Sequence, residues 1–195
     1  MPDCDIQGAT NVKARVLAAA IVVMGTMGSG ALQAQNANPL SAGAKRPYEV
    51  IKGNITKAAA KMPEDQYAFK PTPEVRSFGQ LIGHIADANY GFCAVVLGEK
   101  PPEGGFDGKN SIEKTKTTKA DLEKALAASF AYCDKAHAGM TDAGGVAMVK
   151  FFLGEMPKLS TLEFNTHHDW EHYGNIVTYM RLKGLVPPSS DNSSK

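Results

Sequence analysis

The chain has 195 residues, of which 43% are hydrophobic and 21% charged, and its formal net charge is +1. This composition is ordinary for a soluble globular protein, and the length suits a single domain. The near-neutral charge argues against a nucleic-acid partner and against binding to an anionic membrane surface, because both need a basic face.

Residues 1–34 have the pattern of a secretory signal peptide. Lys13 and Arg15 precede a short apolar run at 16–24. Small residues follow from Gly25 to Ala31, and then Leu32, Gln33 and Ala34. The run is too short for a comfortable transmembrane span, although an uncleaved anchor is the alternative. We expect cleavage after Ala34 and a periplasmic or secreted protein without stable membrane insertion after processing.

Four later segments show the apolar repeat of amphipathic helices. These segments cover about 42–62, 77–97, 118–138 and 160–183. The last three begin with capping patterns, formed by Ser77 with Gln80, Thr118 with Asp121, and Ser160 with Glu163. Four such helices predict an all-α four-helix bundle.

The bundle is expected to cover residues 45–188. Residues 35–44 would be a flexible lead-in, and residues 189–195 a disordered polar tail. The apolar segment 146–153 fits a short strand, an extended cover or one helical turn, and the sequence does not distinguish them.

The connection at 98–117 is far longer than an antiparallel helical hairpin needs. It can return along the bundle, which would leave the second and third helices parallel and bring Cys93 and Cys133 to similar depth. A disulfide between them suits an exported protein. Two separate buried thiols are the alternative, and antiparallel helices would exclude the bridge.

His168 and His172 stand four residues apart in the fourth predicted helix. This spacing places both imidazoles on one face, on the apolar stripe that also carries Phe164 and Ile176. Two inward imidazoles in register can share a metal ion. Hydrogen-bonded core histidines are the alternative.

His84 is the best third ligand, because it lies on or beside the inward stripe of the second helix and a bundle site draws on facing helices. His137 is better explained by its place at a helix C-terminus, and His167 by a surface position. The predicted metal ligands are therefore His84, His168 and His172. Three histidines with one open position are typical of a catalytic site.

Three residues near the ligands are candidates to orient the imidazoles. Asp87, Asp169 and Asn175 each lie one to three residues from a predicted ligand. A carboxylate or amide oxygen that accepts the outer N–H would fix the tautomer of the imidazole.

The segment HDWEH at 168–172 also matches the H-x-x-E-H motif of inverted zinc proteases. That motif needs a downstream acidic ligand, and Asp191 is the sole acid after His172. Glu171 also falls outside the inward stripe. A protease is therefore disfavoured.

Two segments resemble the DinB-like superfamily of damage-inducible metalloenzymes. They are residues 77–84 (SFGQLIGH) and residues 168–184, which begin HDWEHYGN. The resemblance implies a stress-related four-helix bundle whose zinc or nickel ion is held by three histidines, at positions 84, 168 and 172 here.

Some proteins of this superfamily transfer low-molecular-weight thiols or isomerise small organic acids. The resemblance therefore favours a divalent-metal-dependent transferase that acts on a small-molecule thiol or electrophile. A non-catalytic metal-binding or interaction bundle is the alternative, and either form allows a homodimer. The export signal sets this chain apart from relatives that use cytosolic thiols.

Overall fold

The computed structural model describes residues 37–106, 108 and 110–193. The predicted signal peptide at 1–34 lies outside these residues. The chain divides into the units Met1–Pro39 and Leu40–Lys195, and the bundle belongs to the second. Within the described residues, no helix combines the length and apolarity that crossing a bilayer requires.

Within the described residues, the elements follow one another as six α-helices and one β-hairpin. They are α1 (Pro39–Lys61), α2 (Phe78–Leu97), α3 (Ile112–Thr115), α4 (Lys119–Ala138), α5 (Asp142–Gly145), β1 (Met148–Phe151), β2 (Gly154–Pro157) and α6 (Lys158–Leu182). The helices α1, α2, α4 and α6 are the four long ones, so the predicted helical bundle is confirmed. The hairpin shows that part of segment 146–153 is a strand, β1, antiparallel to β2.

Helices α2 and α4 run parallel. Near their N-terminal ends, a Cβ atom on Gly79 would lie 3.2 Å from Leu122 Cδ1. Near their C-terminal ends, Cys93 and Cys133 form a disulfide with a Cα–Cα distance of 5.3 Å. The long connection therefore crosses over along the bundle, as predicted, and of the two alternatives for the cysteines the disulfide is the one found.

Helices α1 and α6 run in the opposite direction. Lys119 Nζ at the start of α4 donates to Ala60 O at the end of α1, at 2.9 Å. Ser41 N at the start of α1 donates to Asp142 Oδ1, just beyond the end of α4, at 2.8 Å. Asn165 Nδ2 donates to Asn89 Oδ1 at 2.9 Å, which pairs the first half of α6 with the second half of α2. The four long helices thus have a down-up-up-down arrangement.

One hydrophobic core joins the four long helices. Burying one large apolar side chain stabilises a fold by about 1.5–3 kcal/mol, so a continuous set of them dominates the stability. The largest fully buried side chains are Tyr48, Phe78, Phe130, Ile51, Ile55, Met62, Ile82, Ile85, Ile112, Leu122, Leu126 and Leu162.

Helix α1 begins earlier than the sequence suggests. The Asp142 carboxylate accepts hydrogen bonds from Leu40 N at 3.1 Å and from Ser41 N at 2.8 Å. It therefore satisfies free amides of the first turn, which a local N-cap residue would otherwise do. Residues 39–44 of the predicted lead-in are therefore the first turns of α1, and their cap comes from a distant part of the chain.

Two of the three predicted capping patterns are confirmed, and the last helix begins between Pro157 and Ser160 as predicted. Ser77 and Gln80 form a reciprocal capping box at the start of α2, and Thr118 caps α4. The capping box predicted at Ser160 is wrong, because β2 leads directly into α6 at Lys158 and no side chain caps that helix.

The C-terminal segment is ordered as far as the structure describes it. Residues Pro188–Ser190 form a 3-10 turn, and Ser189 N donates to Tyr173 Oη at 3.0 Å. Lys61 Nζ pairs with the Asp191 carboxylate at 2.8 Å. Residues 189–193 of the predicted tail thus contact α1 and α6, and residues 194–195 lie outside the described part.

Candidate metal centre

Three histidines from two helices meet inside the bundle. His168 and His172 lie one turn apart on α6, and His84 faces them from the antiparallel helix α2. His84 Nε2 lies 3.2 Å from His168 Nε2, and His172 Nε2 lies 3.0 Å from His168 Nε2. The structure thus brings together the three residues predicted to be metal ligands.

The three imidazoles form a group that can hold a metal ion. One ligand atom from each residue lies within 4.8 Å of the others. A tetrahedral ion with bonds of about 2.0–2.1 Å would hold its nitrogen ligands roughly 3.3 Å apart, close to the two short distances above. The residues therefore fit a divalent ion with three protein ligands and one further position.

Burial keeps these imidazoles neutral, which is the state that metal binding requires. It lowers the pKa of His84 to about 4, with a smaller effect of Arg76 and His172. It lowers the pKa of His168 to about 3, helped by the two neighbouring imidazoles. The pKa of His172 is lowered as well, again mainly by burial.

Glu113 on α3 is the carboxylate nearest to a ligand imidazole. Its Oε2 atom lies 3.4 Å from His84 Nδ1, and its Oε1 atom accepts from Arg76 Nε at 2.9 Å. A carboxylate at Nδ1 favours the tautomer in which Nε2 is free to bind an ion. Sequence reasoning missed Glu113, since it lies in the long connection with no local signal that it returns to His84.

Asp87, predicted to orient His84, has another role. Its carboxylate accepts from Ser111 Oγ at 2.7 Å, from Ile112 N at 2.8 Å and from Glu113 N at 3.0 Å. It therefore holds the start of α3 and, through it, the backbone of Glu113. Asp87 thus lies one turn from His84, as predicted, but its carboxylate binds the start of α3 and does not orient the imidazole.

Gly83 lets α3 approach the histidine helix closely. A Cβ atom at this position would lie 2.6 Å from Glu113 Cα, a distance that real Cβ atoms do not tolerate. Glycine is thus required beside His84 because the backbone of Glu113 occupies the space of a side chain.

The two remaining predictions of orienting residues are wrong. Asp169 is fully buried, but its carboxylate makes no hydrogen bond within the part of the chain that is described. Burial raises the pKa of this carboxyl well above its ordinary value. Nδ1 of His172 also lacks a partner there, so the exposed Asn175 does not orient it.

The other two histidines lie apart from the centre. His167 is exposed, as predicted. His137 is buried and stacks on Tyr48 with ring centroids 4.0 Å apart. Asp191, the acid that a protease motif would need, pairs with Lys61 instead.

A polar cleft of about 640 Å³ lies beside the histidines. It is lined by Lys70, Glu74, Val75, Arg76, Gln80, Leu81, Glu113, Glu171, His172, Asn175 and Tyr179. On another side, His168 packs against Phe92, whose ring also contacts Phe151 and Phe164. The centre therefore has one apolar, packed side and one side where a small molecule can enter.

Comparison with known proteins places this architecture in a family. The family model described as the DinB superfamily matches residues 49–176. No curated protein matches the chain.

Several solved structures share the fold. A DinB-like protein from Bacillus cereus has 18% identity and a TM-score of 0.62, covering 75% of this chain and 94% of its own. A DinB-like protein from Bacillus subtilis has 20% identity and a TM-score of 0.55, covering 72% and 92%. A mycothiol-dependent maleylpyruvate isomerase has 14% identity and a TM-score of 0.58, covering 70% of this chain and 60% of its own. At these identities the likeness concerns the fold alone.

Proposed function

The chain belongs to the DinB superfamily, and from this premise we propose that it is an exported, divalent-metal-dependent enzyme. The favoured reaction class is transfer involving a small thiol or a small electrophile. The favoured metal is zinc or nickel, held by His84, His168 and His172.

The observation that carries the proposal is the convergence of three imidazoles beside a cleft, that of His172 buried and those of His84 and His168 half-buried. Their ligand atoms lie within 4.8 Å of one another, and His172 also lines the cleft of about 640 Å³. Structural zinc sites are closed by four protein ligands, whereas catalytic sites keep one position for water or substrate. Three ligands next to an accessible cleft favour the catalytic kind.

An ion bound there would lower the pKa of a bound water or thiol, or polarise a carbonyl group. The residues of this chain supply the remaining functions. Glu113 orients His84, Asp87 holds the segment that carries Glu113, and the packing of Phe92 against His168 excludes water from one side of the centre.

Two observations support export. The first 34 residues have the order of a signal peptide. Cys93 and Cys133 form a buried disulfide, which is typical of oxidising compartments outside the cytoplasm. Mass spectrometry of protein recovered from a periplasmic fraction should give a chain that begins at Gln35. A chain that retains residues 1–34 would contradict the proposed processing.

The transferase class is supported by a structural neighbour whose name describes it as mycothiol-dependent. A direct test mixes the metal-loaded protein with a low-molecular-weight thiol and an α,β-unsaturated carbonyl compound. Addition of S–H across the double bond gives a product that contains every atom of both reactants. We expect mass spectrometry to detect the product faster than the background reaction, and a chelator to remove the excess rate.

The metal itself is tested by elemental analysis of purified mature protein loaded with zinc or nickel. We expect about one ion per chain, as a single three-histidine site requires. His84→Ala and His168→Ala should lose the ion. His167→Ala is the matched control, because this exposed neighbour lies outside the centre. Equal metal content in all four proteins would overturn the proposal.

An interaction bundle is the second candidate, and the β-hairpin is the observation that favours it. Phe152 and Leu153 at its tip are each 67% exposed, and Met148 is 56% exposed. Exposed apolar groups of this size often mark contact surfaces. Light scattering should show a dimer that Phe152→Ser and Leu153→Ser dissociate; a monomer at all concentrations would count against a pairing of two copies.

A further inference from the structure

The cleft beside the histidines contains an arginine whose position suits an anion. Arg76 lines the cleft, and its side chain is 41% exposed. Its only ion pair within the described residues is to Glu113 and uses Nε, and no hydrogen bond to those residues engages its two terminal amino groups. Guanidinium presents its donors in a planar fork that matches a carboxylate.

The arginine is tied to the metal centre through one side chain. Glu113 accepts from Arg76 with one oxygen and faces His84 Nδ1 with the other. Between the guanidinium and the point where the three Nε2 atoms meet there are only two groups, the Glu113 carboxylate and the His84 ring. A molecule of a few carbon atoms can bridge that interval.

The backbone of Arg76 is fixed as well. Tyr179 Oη on α6 donates to Arg76 O at 2.8 Å. The next residue, Ser77, is the N-cap of α2. Both helices that carry the histidines thus hold the arginine, which gives a bound group a defined position relative to the centre.

The charges around the cleft favour an ion of single charge. Its ionisable lining includes two basic residues, Lys70 and Arg76, and three acidic residues, Glu74, Glu113 and Glu171. A divalent ion at the neutral histidines would leave this set with a net charge of +1. A monocarboxylate matches that balance, whereas a dianionic phosphate exceeds it.

We propose that the substrate is a small molecule with one carboxylate group, and that Arg76 binds this carboxylate while another part of the molecule reaches the metal. This inference rests on the proposed function, because it requires an ion at the three histidines. Arg76 is here a specificity residue, and Glu113 is a positioning residue that connects it to His84.

The test uses protein loaded with Co²⁺, whose visible absorption reports a change in its ligands. Two hydroxamates of matched length are titrated: butyrohydroxamate, with a methyl end, and succinic monohydroxamate, with a carboxylate end. A second pair, in which each compound is one methylene longer, tests a larger distance between the metal and the guanidinium of Arg76. We expect the carboxylate-ended member of one pair to bind about tenfold more tightly than its neutral counterpart.

Variants identify the group that gives this preference. In Arg76→Gln the two members should bind equally, while butyrohydroxamate keeps its wild-type affinity and shows that the centre is intact. Arg76→Lys should retain part of the preference, because the charge remains and the fork is lost. Lys70→Gln is the matched control from the same cleft and should keep the preference.

The outcomes separate this inference from the proposed function. Failure to bind Co²⁺ would remove the metal centre and both proposals with it. Binding of Co²⁺ with equal affinities in both pairs, or a preference that survives Arg76→Gln, would overturn only the assignment of a carboxylate to Arg76. A preference lost in Lys70→Gln alone would move the anion site to the lysine.

Discussion

The bundle contains two inward polar groups built mainly on α2 and α6, and they differ in how their side-chain atoms are satisfied. In the asparagine layer, Asn165 Nδ2 donates to Asn89 Oδ1 and Asn89 Nδ2 donates to Ser129 Oγ at 3.3 Å. In the histidine group, three Nε2 atoms converge on one another. In the first group each amide donor meets an acceptor, and of this group's side-chain atoms only Asn165 Oδ1 lacks a partner among the described residues. The second group instead presents like atoms to a common point. This difference separates a structural polar layer from a ligand site.

Removing the metal is the largest expected effect and tests the histidine group directly. A ligand at a thousand times its Kd stabilises the folded state by about 4 kcal/mol. A chelator should therefore lower the Tm of the loaded protein by roughly 10 °C, measured by circular dichroism. The same chelator should leave the Tm of His168→Ala unchanged. If the chelator leaves the Tm of the wild type unchanged, the histidines hold no metal ion and are structural residues like the asparagines.

The disulfide next to the asparagine layer gives the second effect. Cys93 and Cys133 are separated by 40 residues. Closing a loop of that size stabilises the fold by about 3–4 kcal/mol in the chain-entropy account. Cys93→Ala with Cys133→Ala should lose that much in urea unfolding. The metal content should stay unchanged, and a loss of metal would show that the two groups are not independent.

Substitutions in the asparagine layer should lower the free energy of unfolding and leave the metal content unchanged. Asn165→Leu leaves Asn89 Oδ1 buried without its donor, which costs about 2–3 kcal/mol. The double variant Asn89→Leu, Asn165→Leu should recover part of this loss, because both partners are then apolar. Urea unfolding and elemental analysis measure the two quantities side by side.

His137 offers a buried imidazole outside both groups. Burial lowers its pKa to about 4; nearby carboxylates raise this pKa and nearby lysines lower it further, each by a smaller amount. Those neighbours are Lys45, Glu49, Lys52 and Asp134. A histidine with a depressed pKa stabilises the fold above its unfolded pKa near 6.5, and this contribution is lost as the pH falls toward 4.

The variant His137→Phe should therefore lose less stability on acidification than the wild type. We expect a difference of about 2 kcal/mol in the unfolding free energy between pH 7 and pH 4.5. The ring of phenylalanine keeps the stacking on Tyr48. Chemical denaturation measures the unfolding free energy of both proteins at each pH. If the two free energies fall equally on acidification, His137 is not held neutral by burial.

The smallest effect concerns the residue that orients a ligand. Glu113→Gln should weaken metal binding about tenfold, because loss of an outer carboxylate typically costs at least that much. Glu74→Gln is the matched control, since Glu74 lines the same cleft without contacting a ligand imidazole. Competition with a metal indicator measures both affinities. Equal affinities would show that Glu113 does not orient His84.

The parts of the fold that depend on local pattern could be predicted from sequence. The apolar repeat located the four long helices, and the spacing of His168 and His172 placed both on one face. The length of the connection predicted the parallel pair α2 and α4. The start of α1 could not be predicted, because its cap, Asp142, is a hundred residues away from Leu40.

The same limit explains what was missed at the centre. His84 could be chosen because it lies on an amphipathic helix with a known inward side. Glu113 could not, because its contact with His84 depends on Asp87 holding α3 and on the space left by Gly83. Such contacts come from tertiary packing and have no periodic signal in the sequence.

The cap on α1 also determines when the first turn of this helix can become stable during synthesis of the chain. The first turn of α1 is closed by Asp142, so it has its full set of hydrogen bonds only after residue 142 has been synthesised. A ribosome-bound chain that ends before this point would expose that turn to unfolding and to proteases. The first helix that the structure describes is thus capped only after the whole of α4 has been synthesised.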